Sequence, residues 1–463
     1  MKMHLQTGNF RASSVPPEKK FLVDIKAIYL SFLIQVMVSN WSGAEEFVDA
    51  KVMHYQENQG RMRIIAPSFL YKKEYTPDFS IQIDGIYNSI SGATPTGAPP
   101  VPMYTTQTIT EQTPVTVSSP SGSFTAYNDD DDDDDGDDDD DRRRGYNGRA
   151  AATPVSSPAV AQPSTGQTSS GASQSSTRTT TVPAGTSIPM QDVTDTRVGL
   201  NANVTRRISK AHTLSASGYF STENDYQSTG LSLQDNVSFN EKNTIVSFGG
   251  AYAYDTIDIV SEESSETKQT ADALLGLIQY INPRTIFSAN LVAGNVSGYI
   301  TDQYKVVELN NELVRENRPD SKNKLIGYTG LTKRISSLDG TAESSYRYYT
   351  DSFGIDSHTL TFAWFQDVGR SLILRPAVRF YQQSEADFYD IRFTGTPEYY
   401  SSDYRVSSMA TMSYGLKAVW VISGRIRLDV AYDRYEMESS DGKTDPGMYP
   451  AANVVTIGGR ICF

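Results

Sequence analysis

From Phe47 onward the chain falls into segments in which apolar residues take every second position, separated by breaks rich in Gly, Pro, Asn, Asp and Ser. A period of two predicts strands, because successive side chains leave a strand on opposite faces. Leu360, Phe362 and Trp364 oppose Thr359, Thr361 and Ala363, and Leu372, Leu374, Val378 and Phe380 oppose Ser371, Arg375, Ala377 and Arg379. Met412, Tyr414, Leu416 and Trp420 oppose Thr411, Ser413, Gly415 and Lys417, while Ile426, Leu428, Val430 and Tyr432 oppose Arg425, Arg427, Asp429 and Asp433. The charges gather on the face away from the apolar residues. The last segment repeats the pattern, with Val455, Ile457, Ile461 and Phe463 on one face and Thr456, Arg460 and Cys462 on the other.

Strands are predicted near 47–57, 61–73, 79–89, 193–208, 211–224, 227–240, 243–256, 268–281, 285–300, 322–336, 340–351, 355–367, 370–385, 402–422, 425–438 and 452–463. The breaks between them sort by parity. Tight ones (Tyr75–Asp78, Ser209–Lys210, Glu241–Lys242, Asn282–Arg284, Ser337–Asp339, Val368–Gly369, Ser423–Gly424) follow even-numbered strands, and longer ones (257–267, 301–321, 386–401, 439–451) follow odd-numbered strands. A soluble β-sandwich would account for alternation in one segment and has no reason to sort its loops. Short turns at one end and long loops at the other are what transmembrane barrels have. The expected fold is therefore all-β: a transmembrane antiparallel barrel of about sixteen strands, within 14–18, with apolar side chains toward lipid and polar ones toward a wet lumen. The parity places both termini in the periplasm and the long loops outside the cell. A final aromatic residue, Phe463, is expected to be read by the barrel-assembly machinery.

Composition agrees. Mean hydropathy is −0.43 over 463 residues, as a barrel gives by alternating its faces, and no helical membrane protein is in view. Lys19, Lys20 and Lys26 precede the apolar run Ala27–Val38, which is followed by Ser42-Gly43-Ala44. The run is too short to span a bilayer and reads as a signal peptide over 1–44, cleaved after Ala44. Strands 1–3 occupy 45–90 and strands 4–16 occupy 192–463. Between them, 91–191 is a Ser/Thr/Pro-rich, acidic, low-complexity insert, expected to be disordered and extracellular. Much of the net charge of −14 comes from one tract of that insert, Asp129–Asp135 and Asp137–Asp141. Outside it the balance gives no nucleic-acid signal. The single cysteine, Cys462, forms no internal disulfide, and four scattered histidines exclude a clustered His/Cys metal site.

The motifs Val52–Arg63, Ile90–Pro100, Asp195–Arg197, Ser221–Ser228, Glu316–Ser321, Ser345–Ser352, Phe380–Tyr389 and Ser402–Arg405 come in an ordered series covering nearly all of the mature chain except the insert. In that series the chain resembles the DUF3570 family of outer-membrane proteins. The resemblance implies an outer-membrane barrel in a Gram-negative bacterium and a genomic association with flavin-transfer and thioredoxin-like redox proteins. It assigns no activity. The aspartate-rich insert departs from a minimal member of the family.

Two residue sets are candidates for function. On the lumen face of the last four strands lie Arg375, Arg379, Lys417, Arg425, Arg427 and Arg460, with Asp429 and Asp433 as counter-charges. Such a wall favours anions in a water-filled pore, and pairing across the lumen is the structural alternative. At the outer rim the family-like motifs bring Glu223, Asp225, Tyr226, Glu316, Arg318, Asp320, Arg347, Asp351, Glu385, Asp387, Asp403 and Arg405, either a selecting mouth or a salt-bridged frame for the loops. No defined metal site is expected, since the tract around Asp129, Asp130, Asp131, Asp137 and Asp138 lacks calcium-loop spacing and suits diffuse cation attraction. Catalysis is not expected, because His358 is the only histidine in a strand near these carboxylates; no cofactor is expected. The leading expectation is a porin-like channel for small solutes or ions. The alternatives are an adhesive or structural surface protein acting through the acidic loop, and a barrel that docks a periplasmic redox partner.

Overall fold

The computed structural model describes residues 46–111, 116–117, 176–259 and 264–463, with side chains outside 103–186. The expected signal segment 1–44 and the aspartate tract lie outside the described residues. Sixteen antiparallel strands close into one barrel: β1 Glu46–Glu57, β2 Arg63–Thr76, β3 Phe79–Pro95, β4 Met190–Arg207, β5 His212–Thr222, β6 Tyr226–Phe239, β7 Thr244–Ile259 and β8 Ser264–Asn282. The ring continues through β9 Thr285–Gly298, β10 Ser321–Ile335, β11 Gly340–Asp351, β12 Asp356–Val368, β13 Leu372–Gln383, β14 Met409–Val421, β15 Ile426–Ser439 and β16 Ala451–Cys462. β16 then pairs with β1, from Phe47 opposite Cys462 to Glu57 opposite Ala452, so no barrel edge is left open.

Each of the sixteen predicted segments is a barrel strand. The largest shift is at 402–408, predicted as the start of a strand, where the chain instead turns through Tyr404–Val406 and β14 begins only at Met409. The cause is local, because the Asp403 side chain accepts the Arg405 backbone N–H and caps that turn. The flanks of the expected insert 91–191 are also strands. β3 runs to Pro95, β4 begins at Met190, and beyond them Val101–Glu111 pairs antiparallel with Ser176–Ser187. These flanks are rich in Thr and Val, which suit strands.

Loop parity holds. Turns 77–78, 208–211, 240–243, 283–284, 336–339, 369–371 and 422–425 close one end, while 299–320, 384–408 and 440–450, with the described flanks 96–111 and 176–189, belong to the other, where 58–62, 223–225 and 352–355 are also short. Leu231, Leu233, Phe248, Leu360, Phe362, Leu416, Leu428 and Ile457 are exposed on the outer face. Exposed aromatics stand near both ends of that face: Tyr75, Phe239, Tyr280 and Trp420 by the short turns, Tyr254 and Tyr346 toward the long loops. A soluble protein would bury these side chains, and a bilayer with aromatic girdles accepts them.

One departure concerns the lumen. At the long-loop end its wall is not wet all round: inward-facing Tyr55, Ile64, Ala66, Ile90, Val193 and Ala452 join Met62 in a buried apolar cluster. Loops fold over this end and bury it.

Candidate functional site: the lumen wall and the capped mouth

Period-two alternation places Arg375, Arg379, Lys417, Arg427, Asp429, Asp433 and Arg460 on the inner faces of β13 to β16, as predicted from sequence. Their registers knit them together: Arg375 stands opposite Lys417, and Arg427 opposite Arg460. Lys417 Nζ lies 2.9 Å from Asp429 Oδ2. Asp433 feels both Arg375 and Lys417, and its carboxylate lies over Gly415, where any Cβ would collide with it. Arg460 takes a partner absent from the sequence-derived set: its guanidinium grips Asp49 of β1 through Nε (2.7 Å) and Nη2 (2.6 Å) and stacks 4.0 Å from the centroid of Phe47. Asp49 and Lys51 could have been found by extending the same alternation to the first strand. Arg425 sits in the turn before β15, at the short-turn end of the wall. Among the described residues Arg427 and Lys51 enter no ion pair, so this wall keeps an excess of positive charge.

The rim candidates do not form a ring around an open mouth. Glu316, Arg318, Asp403 and Arg405 converge in a buried network with two residues that the sequence reading passed over, Asp302 and Lys305. Arg318 contacts Glu316 at 2.7 Å and Asp403 at 2.6 Å, and Arg405 contacts Asp403 at 2.8 Å and also pairs with Asp302. Asp403 is 0% exposed, Lys305 1% and Glu316 3%. Three carboxylates thus face three cations, which allows such burial. Glu316 also accepts the Asp302 backbone N–H at 2.7 Å and the Ser401 hydroxyl at 2.6 Å. Burial alone would raise Asp403, yet Arg405, Lys305 and Arg318 together hold its carboxyl well below the usual range. Glu316 moves the other way, pushed up by burial that Arg318 offsets only in part.

This network pins a cap across the barrel end. The loop 299–320 leaves β9, carries a hairpin (Val306–Leu309 with Glu312–Arg315) turned by Asn310-Asn311 in the left-handed region, and returns to β10. Its far side reaches the tip of β3, nearly opposite in the ring: Lys305 Nζ donates to the Pro95 carbonyl at 2.8 Å, and Val306 N–H to the Thr96 carbonyl at 2.9 Å. Gly97, at φ +88°, permits the approach, since a Cβ there would stand 2.8 Å from the Val306 oxygen. The loop 384–408 packs alongside, bridging Asn317 to Tyr400 and Leu309 to Phe393. The loop 440–450 joins through Tyr389–Thr444 (2.5 Å) and Ser407–Tyr449 (2.6 Å). Four of the family-like motifs, Ile90–Pro100, Glu316–Ser321, Phe380–Tyr389 and Ser402–Arg405, therefore meet in one structure.

A second anchor holds the near side. Asp225 Oδ2, in the turn between β5 and β6, accepts Gln303 Nε2 and Tyr304 OH, both at 2.8 Å, while its buried Oδ1 has no hydrogen-bond partner. Burial pushes Asp225 up to about 7, with repulsion from Asp195 and Asp258 adding to the rise and the Tyr304 hydrogen bond opposing it.

The other candidates scatter. Glu223 lies 3.5 Å from Arg197, and Tyr226 donates to Asp255 at 2.6 Å beneath Lys268. Asp351 caps its own turn by accepting Phe353 and Ile355 N–H, and Glu385 pairs with Lys443 at 3.0 Å. Asp320 and Asp387 are exposed. Arg347, predicted at the rim, lies within β11 on the lumen face, opposite Tyr328 and Thr359. His358 points outward, hydrogen-bonded at 2.7 Å to Tyr346 among the girdle aromatics and away from the carboxylates of the mouth. Among the described residues no three metal-ligating side chains cluster.

A closed, sixteen-stranded barrel with an apolar outer face and a polar inner one defines a transmembrane β-barrel of the outer-membrane type. The chain belongs to the DUF3570 family: residues 34–265 and 260–460 match the family described as "Protein of unknown function (DUF3570)". No curated protein matches. Among solved structures it is similar to the siderophore receptor PirA from Pseudomonas aeruginosa (8% identity, TM-score 0.38), covering 91% of this chain and 62% of the receptor. It is also similar to OpdK from Pseudomonas aeruginosa, solved with vanillate (10% identity, TM-score 0.38, 91% of this chain and 99% of that one). A BenF-like porin from Pseudomonas fluorescens Pf-5 is similar at 8% identity and a TM-score of 0.41, covering 92% of this chain and 100% of the porin.

Proposed function

We propose that this protein is a capped outer-membrane channel for small solutes that favours anions, with the long-loop end outside the cell and both termini in the periplasm. The observation that carries the reading is the inward wall of β13 to β16, where Arg375, Arg379, Lys417, Arg427 and Arg460 face only Asp429 and Asp433 from the same strands. In a narrow lumen with low-dielectric walls, such an excess raises the local concentration of anions and lowers that of cations. The cap makes the channel conditional. Loops 299–320 and 384–408 cover the mouth and must shift for solute to pass. They do so at their own end of the barrel, because the strand ladders beneath share none of the network's side chains.

Reversal potentials of the purified full chain in a planar bilayer, under a gradient of potassium chloride, test this reading. Anion preference is expected, along with a weaker preference when Arg375 and Arg379 are replaced by Gln. Preference for potassium would contradict it, as would membranes that stay silent both with the intact chain and with a chain whose cap is loosened at Asp403.

A further inference from the structure

The wall that faces the basic strands is of a different kind. β5 lies diametrically opposite β13, with seven strands between them on either side of the ring. Through the midsections of β4, β5 and β6 the inward positions are Gly199, Asn201, Asn203 and Thr205, then Ser215, Ser217 and Tyr219, then Gly230, Ser232, Gln234, Asn236 and Ser238. The run holds neither a charge nor an aliphatic side chain larger than Thr; Tyr219 is its aromatic member, and Asp84 of β3 borders it, accepting from Asn201 Nδ2 at 3.0 Å. Its members are joined in a ladder of amides and hydroxyls: Thr205 to Ser215 at 3.0 Å, Ser217 to Ser232 at 2.6 Å, Gln234 to Asn236 at 2.8 Å and Asn236 to Ser247 at 2.6 Å. Each of these groups both donates and accepts, so the ladder can trade its internal bonds for bonds to a passing hydroxylated solute.

Across the lumen the cations rise in steps. Arg427 and Arg460 stand near the short turns, Arg375 and Lys417 higher, Arg379 higher still, and Arg347 faces inward two strands away on β11. Guanidinium groups recognise carboxylates through paired N–H donors, which a simple halide cannot use. A lumen for inorganic anions alone needs the basic wall and gains nothing from the amide and hydroxyl wall.

We infer that the lumen is a two-walled path for small polyhydroxylated carboxylates such as sugar acids, with the carboxylate stepping along the arginines and the hydroxyls exchanging bonds with β4 to β6. This rests on the anion-favouring channel proposed above. A carboxylate without hydroxyls would use one wall, and a neutral sugar the other.

The test is block of the potassium chloride current through the full chain by three solutes of similar size: gluconate, cyclohexanecarboxylate and glucose. Gluconate is expected to reach half-block at a concentration at least tenfold below either of the others, and Arg379→Gln is expected to erase most of that advantage. Equal half-block by gluconate and cyclohexanecarboxylate, or tighter block by the latter, overturns the two-walled path while leaving anion preference intact. Cation-selective reversal potentials, or membranes silent with both the intact and the cap-loosened chain, overturn the channel reading and this inference with it. Because the three solutes are compared on the unaltered chain, the outcome does not depend on a variant that folds.

Discussion

Asp403→Ala is expected to release the cap while leaving the barrel standing. The substitution strands Arg318 and Arg405, both of which contact Asp403, beside Glu316 and Asp302 in a site with almost no access to water. Removing one partner from a buried ion pair costs about 3–5 kcal/mol, because the remaining charge keeps its desolvation penalty and loses its compensation. Spent on loop docking, that shifts the ratio of docked to undocked cap by roughly a hundredfold or more. The strand ladders lose nothing, so the unfolding temperature of the barrel should hardly move. Trypsin supplies a direct readout, since Lys305 is 1% exposed in the docked cap and becomes a cleavage site once the loop lifts. Cleavage after Lys305 is expected to accelerate by at least tenfold, together with a rise in mean bilayer current. Unchanged cleavage would mean that the network does not hold the loop. Replacing Asp403 and Arg318 together by apolar residues of similar volume should do less damage than Asp403→Ala, because the remaining charges stay balanced, Glu316 and Asp302 against Lys305 and Arg405.

Acidification is expected to tighten the cap through Asp225, with the change spread from the ordinary carboxylate value near 4 up to about 7. With loop 299–320 docked, its carboxyl is buried and raised; with the loop lifted, it returns toward the ordinary value. A raised value in the docked state favours docking most strongly below the ordinary value, and the benefit is lost as pH rises through about 7. The geometry gives the proton a place: Oδ2 already accepts Gln303 and Tyr304, and the unpartnered Oδ1 can carry it. The charged groups facing this site act in the same sense or are already engaged, while the Tyr304 hydrogen bond opposes the rise without cancelling it. Asp195 and Asp258 repel the charged form, Arg197 is occupied by Glu223 and Lys268 by Asp255. Glu316, raised by burial, adds to the effect in the same direction. Mean current through the intact chain should therefore fall between pH 8 and pH 5, and Asp225→Asn should remove most of that dependence. A current that rises on acidification would show the latch to have the opposite sign.

The barrel was legible in the sequence because its physics is local. Alternation and loop length are properties of single strands and single turns, and they recovered all sixteen strands, the closure by Val455–Cys462 and the inward face of Arg375, Arg379, Lys417 and Arg460. Where a side chain is tied up inside a loop, the rule fails, as at Asp403, whose bond to the Arg405 backbone turned an expected strand start into part of the cap. The cap itself was out of reach for a different reason. Lys305 meeting Pro95, or Arg318 meeting Asp403, is a contact between loops far apart in the chain, and no periodicity announces it. The motifs Glu316–Ser321 and Ser402–Arg405 did mark the right residues, yet pointed to a charged rim when those residues form a buried, charge-balanced knot. Asp49, by contrast, was available to the same alternation that found Arg460, one strand further on.

An anion-favouring channel requires a passable lumen beneath this cap. Arg318 N–H bonds to the Thr301 hydroxyl at 3.1 Å, so the two ends of the crossing loop are close enough for residues 302–317 to be replaced by a short Gly-Ser linker without straining β9 or β10. Single-channel recording of that chain beside the intact one is the most direct measurement. The uncapped chain is expected to open in larger and longer steps while keeping the anion preference set by the wall of β13 to β16. Steps no larger than those of the intact chain, or silence from a barrel shown to be folded, would contradict it.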